Sequence, residues 1–262
     1  MLAFAVGPAL SAESPSTAMP VRYSEGVVHG FLTLSDLNGK VLAKGELLQT
    51  AKDGDVQGRM VFHFNDGSLS EETTVFTQRG VFSLQSYHQV QRGPAFPRDL
   101  DFKVTRTSAT TGTYQVTTKP RDEKADSETG KLDLPPDASN GLVIPSVKNL
   151  SPGKGRTLHL VALAPGPKVI ELEINPLGEE KITHGNSKET VIRYALHPKL
   201  GALLGTAAKV IGKYPPDQHL WMANQDAPGF VKFEGSMYND GPVWRISLAA
   251  PCMTGDAKSC VE

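Results

Sequence analysis

Four glycine-containing turns divide the N-terminal third of this chain into short segments. They are centred on Asn38-Gly39, Asp53-Gly54, Asp66-Gly67 and Arg79-Gly80. Glycine accepts the positive φ angle that tight turns require, and Asn-Gly and Asp-Gly pairs are strong local signals for a β-hairpin. Consecutive hairpins of this kind predict an antiparallel meander.

Between the turns, hydrophobicity alternates with the period of a β-strand. Met60, Phe62 and Phe64, for example, share one face of their segment because successive side chains of a strand point to opposite sides. Strands are predicted at Val27–Ser35, Lys40–Thr50, Val56–Phe64, Glu71–Gln78, Val81–Val90, Leu100–Arg106, Thr113–Thr118, Arg156–Leu163, Val169–Ile174, Thr190–His197, Gln218–Ala223, Gly229–Tyr238 and Val243–Ala249.

Helical signals are few. Pro135-Pro136-Asp137 predicts the start of a short helix that reaches Leu150, although Pro145 would break or kink it. Leu200 to Ile211 has helical spacing and is ended by Pro215-Pro216. The charged residues 120–129 predict an exposed hairpin tip.

These patterns predict a mainly β protein. We expect a large curved antiparallel sheet, a half-barrel or a sandwich, with about a dozen strands and one or two short helices. No internal repeat or low-complexity linker divides the sequence, so residues 20–250 are expected to form a single antiparallel β domain.

Charge excludes some classes of partner. Lys and Arg number 27 against 28 Asp and Glu, which gives a net charge of -1. Binding to duplex nucleic acid requires a clustered surplus of basic residues, so no nucleic-acid partner is expected. The sequence also lacks a basic run for an anionic membrane surface, and no segment has the roughly 20 apolar residues of a membrane-spanning helix.

The N-terminus indicates export. Residues 1–19 are interpreted as a signal-peptide remnant and disordered leader, because a short apolar run ends in small residues at Ala12. The location expected is therefore the bacterial periplasm or another exported compartment. The basic region that normally begins a signal peptide is missing, so an apolar N-terminus on a cytosolic protein is the alternative.

The two cysteines, Cys252 and Cys260, lie in the tail formed by residues 251–262. Loop-forming residues separate them, so in an oxidising compartment a disulfide that closes this tail is predicted. Two free thiols are the alternative. A structural zinc site is not expected, because zinc takes four ligands and no histidine is nearby.

Three closing segments, Asp217–Asn224, Gly229–Gly235 and Pro242–Leu248, resemble the C-terminal part of a group of bacterial exported proteins. This group is the domain-of-unknown-function family numbered 3108 and its relatives. The resemblance covers residues 20–249 in outline and is weakest over Pro198–Pro216. It implies a periplasmic or outer-membrane-associated protein with a curved antiparallel sheet, similar to half-barrel folds that carry lipids, and it supplies no functional residues.

Motifs for common chemistry are absent from the sequence. It contains no Gly-x-Ser-x-Gly elbow, phosphate-binding loop, His-Glu-x-x-His zinc motif or Gly-x-Gly-x-x-Gly fingerprint. We therefore predict no catalytic residue, metal or cofactor, and favour a protein that is not an enzyme.

Candidate ligand-binding residues come from the predicted strands. His159 and His219 lie on the same strand faces as Val161 and Trp221, and would fix a ligand if those faces line a cavity. Phe62 and Phe64, together with Trp221, are interpreted either as sheet core or as the wall of an apolar pocket. The alternative for each histidine is an ordinary surface or hydrogen-bonded position.

The leading hypothesis is an exported envelope protein that binds an apolar or amphipathic small molecule, such as a lipid, against a curved sheet. One alternative is a small hydrolase or isomerase with a histidine and a carboxylate in a barrel mouth. Another is a structural or assembly module, with peripheral membrane or envelope-protein contacts. The sequence does not determine the oligomeric state.

Overall fold

The computed structural model describes residues 17–163, 166–184, 187–199 and 216–249. Most of the predicted leader, the predicted helix from Leu200 to Ile211, and the Cys252–Cys260 pair lie outside these residues. The strands are β1 (Val28–Ser35), β2 (Val41–Lys52), β3 (Asp55–Phe64), β4 (Leu69–Thr77), β5 (Ser83–Arg92), β6 (Arg98–Arg106), β7 (Thr111–Pro120), β8 (Asp126–Asp133), β9 (Arg156–Leu163), β10 (Pro167–His184), β11 (Ser187–Lys199), β12 (Gln218–Ala223), β13 (Phe230–Ser236) and β14 (Val243–Leu248). Helix α1 (Val143–Lys148) lies between β8 and β9.

All fourteen strands belong to one antiparallel sheet, in the order β8-β7-β6-β5-β4-β3-β2-β1-β14-β13-β12-β11-β10-β9. The chain meanders from β1 out to β8, crosses to the opposite edge, and meanders back from β9 to β14, which pairs with β1. Gln91 on β5 donates from Nε2 to the carbonyl of Met237, directly after β13, over 2.9 Å. Since β4, β3, β2, β1 and β14 lie between these strands, the sheet curls on itself. The predicted curved antiparallel sheet is confirmed.

The glycine turns have the backbone conformation that the sequence predicts. Gly39, Gly54, Gly67 and Gly80 have φ angles of 89°, 81°, 84° and 78°. They connect β1 to β2, β2 to β3, β3 to β4 and β4 to β5. The register of the first five strands therefore follows from local turn chemistry.

The exposed hairpin tip predicted over residues 120–129 is present, but it is shorter than predicted. β7 extends to Pro120 and β8 begins at Asp126. The side chains of β8 are mostly exposed. Charged residues are compatible with a strand at a sheet edge, where they stay solvated and discourage pairing with other chains.

The β10–β11 hairpin is longer than predicted. β10 runs from Pro167 to His184 and β11 from Ser187 to Lys199, in place of Val169–Ile174 and Thr190–His197. An irregularity between Pro176 and Gly178 shifts the register, and Gly178 has a φ of 114°. The polar residues beyond it lack the alternation from which the strands were predicted.

Residues 134–150, here called the central segment, lie against the concave side of the sheet and not in one long helix. Leu134 and Leu142 pack in a buried cluster with Phe102. Val147 packs in a second cluster with Leu172. The central segment therefore bridges inward-facing side chains from both halves of the sheet.

The central segment also covers the free edge of β9. The Asn140 amide donates to the carbonyl of Val161 over 2.9 Å and accepts the Val161 N–H over 2.8 Å. Ala138 forms a parallel bridge with His159. Only Val143–Lys148 is helical. Pro145 is tolerated because it lies in the first turn, where its missing N–H has no helical partner to lose.

Within the described ranges, no helix has the length and hydropathy needed to cross a membrane.

Candidate functional site

One row of inward-facing residues crosses five neighbouring strands. The register pairs Gly30 with Leu47, Leu47 with Met60, Met60 with Glu72, and Glu72 with Gln89. Cross-strand partners share a face of the sheet, and Phe62, two positions from Met60, is a buried core residue. We call these five residues, on β1 to β5, the inner row.

The inner row is less buried than the rows that flank it. Each of its members retains accessible surface. Most neighbours in the flanking rows are buried: Leu32, Phe62, Ser70 and Gln91 on one side, and Gln49, Thr74 and Tyr87 on the other. Gly45, Gly58 and Val28, in the same two rows, are not buried. From the partly uncovered inner row we infer a space above it, which we call the lumen.

Gly141 brings the central segment against the sheet. It approaches Thr74 so closely that an added Cβ would overlap the Thr74 hydroxyl, and it is itself exposed. Thr74 belongs to the row next to the inner row, so the central segment contacts the concave face beside the lumen. We infer that the sheet and the central segment bound the lumen.

Glu72 is the ionisable member of the inner row. Desolvation raises its pKa above the ordinary value, and a hydrogen bond with Tyr87 acts in the opposite direction. The pKa of Tyr87 is raised well above its usual range, mainly by burial and further by the Glu72 charge. Glu72 is therefore a desolvated carboxyl that keeps some accessible surface on the concave face.

The lumen reaches the surface at β1. Val28 and Leu248 lie on the concave face beside Gly30, and their side chains are 37% and 39% exposed. β14 ends at Leu248, so Gly30 lies just beyond its pairing with β1. We call Val28, Gly30 and Leu248 the mouth of the lumen.

Replacing Glu72 with glutamine is expected to stabilise the protein at neutral pH. Because the pKa of Glu72 is raised on folding, the folded state holds this proton more tightly, and ionisation costs stability as the pH rises above the pKa of the unfolded carboxyl. We expect Glu72→Gln to gain on the order of 1 kcal/mol at the upper end of a series from about pH 4 to 8, and nothing at the lower end. Urea unfolding of the wild type and the variant at each pH measures these differences in stability.

Glu71→Gln is the matched control, on the same strand but the opposite face. The Glu71 carboxylate accepts two hydrogen bonds from Arg59 at 2.8 Å, which lower the Glu71 pKa. Stability from this pair is present at neutral pH and lost on acidification. Glu71→Gln should therefore be destabilising at neutral pH, and the same sign for both variants would contradict the placement of Glu72.

Phe62 and Phe64, predicted as ligand residues, face inward. They belong to a buried cluster with Trp244 and Phe96, in which the Phe64 ring lies 5.4 Å from Phe96 and 5.6 Å from Trp244. Phe62 is 1% exposed. These two residues belong to packed rows beside the inner row, on the same face of the sheet.

His219 and Trp221 lie together on the outer face of β12. The Trp221 indole donates to Glu180 over 2.9 Å, and Lys232 and Arg193 stand 4.0 and 5.1 Å from the centre of its ring. Burial and then the Arg193 charge lower the pKa of His219, whose ring centre is 5.8 Å from that of Trp221. This pair is on the opposite side of the sheet from Phe62.

His159 lies on the edge strand β9, away from both of these groups. Its Nδ1 lies 2.8 Å from a carboxylate oxygen of Asp137, which is buried in the central segment. The structure therefore does not bring the five predicted ligand residues to one surface. His159 fastens the central segment to β9, and its predicted role in binding a ligand stays a prediction.

Sequence reasoning missed Leu47, Glu72 and Gln89. The run Ser70–Thr74 is polar on both strand faces, so alternation does not show which residues face inward. The Asp66-Gly67 turn could have shown which of these residues face inward, because a tight hairpin there places Glu72 opposite Met60.

The described residues contain no group of three or more His, Cys, Asp or Glu side chains arranged to hold a metal ion. The fold is an open, curled antiparallel sheet. No family model matches the sequence, and no curated protein matches it.

One solved structure is similar in outline, a β-barrel-like protein of domain of unknown function DUF1849 from Brucella abortus. Its sequence is 9% identical, the match covers 85% of this chain and 96% of that one, and the TM-score is 0.42. The resemblance to family 3108 stays a prediction.

Proposed function

We propose that this protein binds one apolar or amphipathic small molecule, such as a lipid, in the lumen of its curved sheet. The observation that carries this proposal is the inner row, whose residues remain partly uncovered on the concave face beside mostly buried rows. Ligand sites are concave, mostly apolar and equipped with a few polar groups, as this face is.

The composition of the walls supports an apolar ligand. Leu47 and Met60 line the sheet side, and Phe230 and Phe233 pack against the same cluster from β13. All four side chains are only partly buried. Glu72 and Gln89 add polar groups at one end of the row.

The proposal includes a role in the bacterial envelope, which rests on the sequence. The apolar N-terminal run predicts export to the periplasm. The predicted Cys252–Cys260 disulfide suits the same compartment.

One observation favours the alternative of a hydrolase or isomerase. Glu72 and Tyr87 are a pair of titratable groups with shifted pKa values in one site, which is typical of catalytic centres. Among the described residues, however, no histidine–carboxylate pair lies at the inner row. The pairs His29–Glu46, His88–Asp101 and His197–Asp217 involve outer-face histidines, and His159–Asp137 joins the central segment to the edge of β9. The binding function therefore has the better support.

A lumen-filling substitution tests the proposal. Met60→Trp places a larger ring in the inner row, while His63→Trp adds the same ring on the exposed face of β3. With the neutral fluorescent probe N-phenyl-1-naphthylamine, we expect saturable binding to the wild type and to His63→Trp. Met60→Trp should weaken it by roughly tenfold or more, because overpacking removes the space. Equal binding by all three proteins would place the probe outside the lumen.

A further inference from the structure

We propose that the ligand is an uncharged amphiphile, an alkyl chain ending in a hydroxyl or similar neutral group, whose polar end lies between Glu72 and Gln89. This inference rests on the proposed function and names the class of ligand. It follows from the charges that face the lumen, from the hydrogen-bonding groups at the end of the inner row, and from the direction of that row.

Near the inner row, the described strands offer no cation to an anionic head group. On β1 to β5, no Lys or Arg lies on the face of the inner row. Two arginines of β6, Arg98 and Arg106, do lie on that face, since side chains alternate along a strand. Arg98 is exposed at the start of β6. Arg106 donates to the carbonyls of Leu84 at 2.7 Å and of Leu134 and Pro135 at 2.9 Å, and therefore anchors the central segment. A carboxylate or phosphate at the inner row would find no counter-charge on β1 to β5.

The lysines and arginines of β1 to β5 face outward, and so does Lys103 on β6. Lys44 pairs in register with His63, Arg59 binds Glu71, and Lys103 pairs in register with His88. All three lie on the face opposite to the inner row. Burying an anion without a partner is costly, so fatty-acid carboxylates are poor candidates for the lumen.

Glu72 and Gln89 suit a neutral polar group. They are direct cross-strand neighbours, and both are partly uncovered. A protonated carboxyl donates one hydrogen bond, and an amide both donates and accepts, which complements a hydroxyl group. Desolvation favours the protonated form of Glu72. A cationic head would require this carboxyl to ionise, and the desolvation of a buried ion pair offsets much of its attraction.

The inner row gives the ligand a direction. From the mouth at Gly30 to Glu72, the row crosses three strand spacings, or roughly 14 Å at about 4.8 Å each. Leu47 and Met60 lie between these ends. The apolar chain therefore lies along Leu47 and Met60 towards the mouth, and the polar end is innermost.

Competition among matched compounds tests this inference. Dodecanol, dodecanoate and dodecylammonium, each below its aggregation concentration, are used to displace N-phenyl-1-naphthylamine from the full-length wild-type protein at neutral pH. We expect dodecanol to displace the probe at a concentration roughly tenfold or more below the two charged compounds. If dodecanoate or dodecylammonium displaced the probe at the same concentration as dodecanol, the inference about the head group would be overturned, and the lumen would still be a ligand-binding site. A wild type that does not bind the probe would instead contradict the proposed function.

Two variants locate the polar end. Glu72→Gln keeps a neutral donor and should retain the preference for dodecanol, whereas Glu72→Leu should lose it and still bind the probe. Glu71→Leu, on the outer face of the same strand, is the control and should behave as wild type. An undiminished preference in Glu72→Leu would overturn the placement. Should Glu72→Leu fail to fold, the comparison of the three compounds on the wild type and on Glu72→Gln still decides the head-group class.

Discussion

Replacing Gly141 with alanine is expected to destabilise the protein by about 2–5 kcal/mol. An added Cβ would overlap the Thr74 hydroxyl and lie 2.9 Å from the Thr74 Cβ. Gly141 also has a φ of 69°, where a side chain costs about 1–2 kcal/mol. Overpacking against the buried Thr74 adds about 1–3 kcal/mol. Urea or thermal unfolding measures the sum.

Gly153 supplies a matched control for this substitution. Its φ is 68°, and an added Cβ meets nothing within 4 Å. Gly153→Ala should therefore show only the backbone cost of about 1–2 kcal/mol. Adding Thr74→Ala to Gly141→Ala should recover part of the loss, because the overlapping hydroxyl is removed. Equal losses in the two glycine variants would mean that the central segment does not press against β4.

Replacing Asn149 with leucine is expected to cost about 2–5 kcal/mol. Its side chain is buried and makes four hydrogen bonds. The amide oxygen accepts from the N–H groups of Arg22 and Tyr23 at 2.6 and 2.7 Å, and the amide nitrogen donates to Pro145 and Tyr23 carbonyls at 2.7 and 3.3 Å. Leucine of similar volume leaves these backbone groups without their partner.

The control for Asn149 is Asn65→Leu. Asn65 is exposed and donates one side-chain hydrogen bond, to the Val41 carbonyl at 2.9 Å. Its loss should cost below about 1.5 kcal/mol, since water replaces the partner. The Asn149 variant should also be cut faster by protease near Tyr23, because the N-terminal segment loses its attachment to the central segment. A cost no larger than that of Asn65→Leu, with unchanged proteolysis, would contradict this role.

Much of the fold could be predicted because local turn chemistry determines it. The glycines at 39, 54, 67 and 80 occupy positive-φ turns, and each joins neighbouring antiparallel strands. Once such turns are placed, the register of the flanking strands follows. The pairing of β1 with β14, by contrast, joins residues from the two ends of the chain, for which no local signal exists.

The central segment could not be predicted as the wall of an internal space. Pro135, Pro136 and Pro145 indicate only where regular structure is interrupted. Its position depends on long-range bonds, such as those from Arg106 to Leu134, which are not visible in sequence spacing.

The candidate site was partly misplaced because some strands are buried on both faces. In β12, Leu220 faces inward and Trp221 outward, and they are 0% and 3% exposed. An apolar pattern on both faces does not show which side lines a lumen. In β4 the opposite problem arises, since Glu71 and Glu72 are both polar and only Glu72 faces inward.

The lumen is expected to hold one small molecule. To test this, wild type, Met60→Trp and His63→Trp are purified from bacterial cells, their native masses are recorded, and whatever solvent extraction releases is identified. We expect about one apolar or amphipathic molecule per chain from the wild type and His63→Trp, and a strongly reduced amount from Met60→Trp. Equal amounts from all three proteins, or none from the wild type after incubation with dodecanol and gel filtration, would contradict the claim.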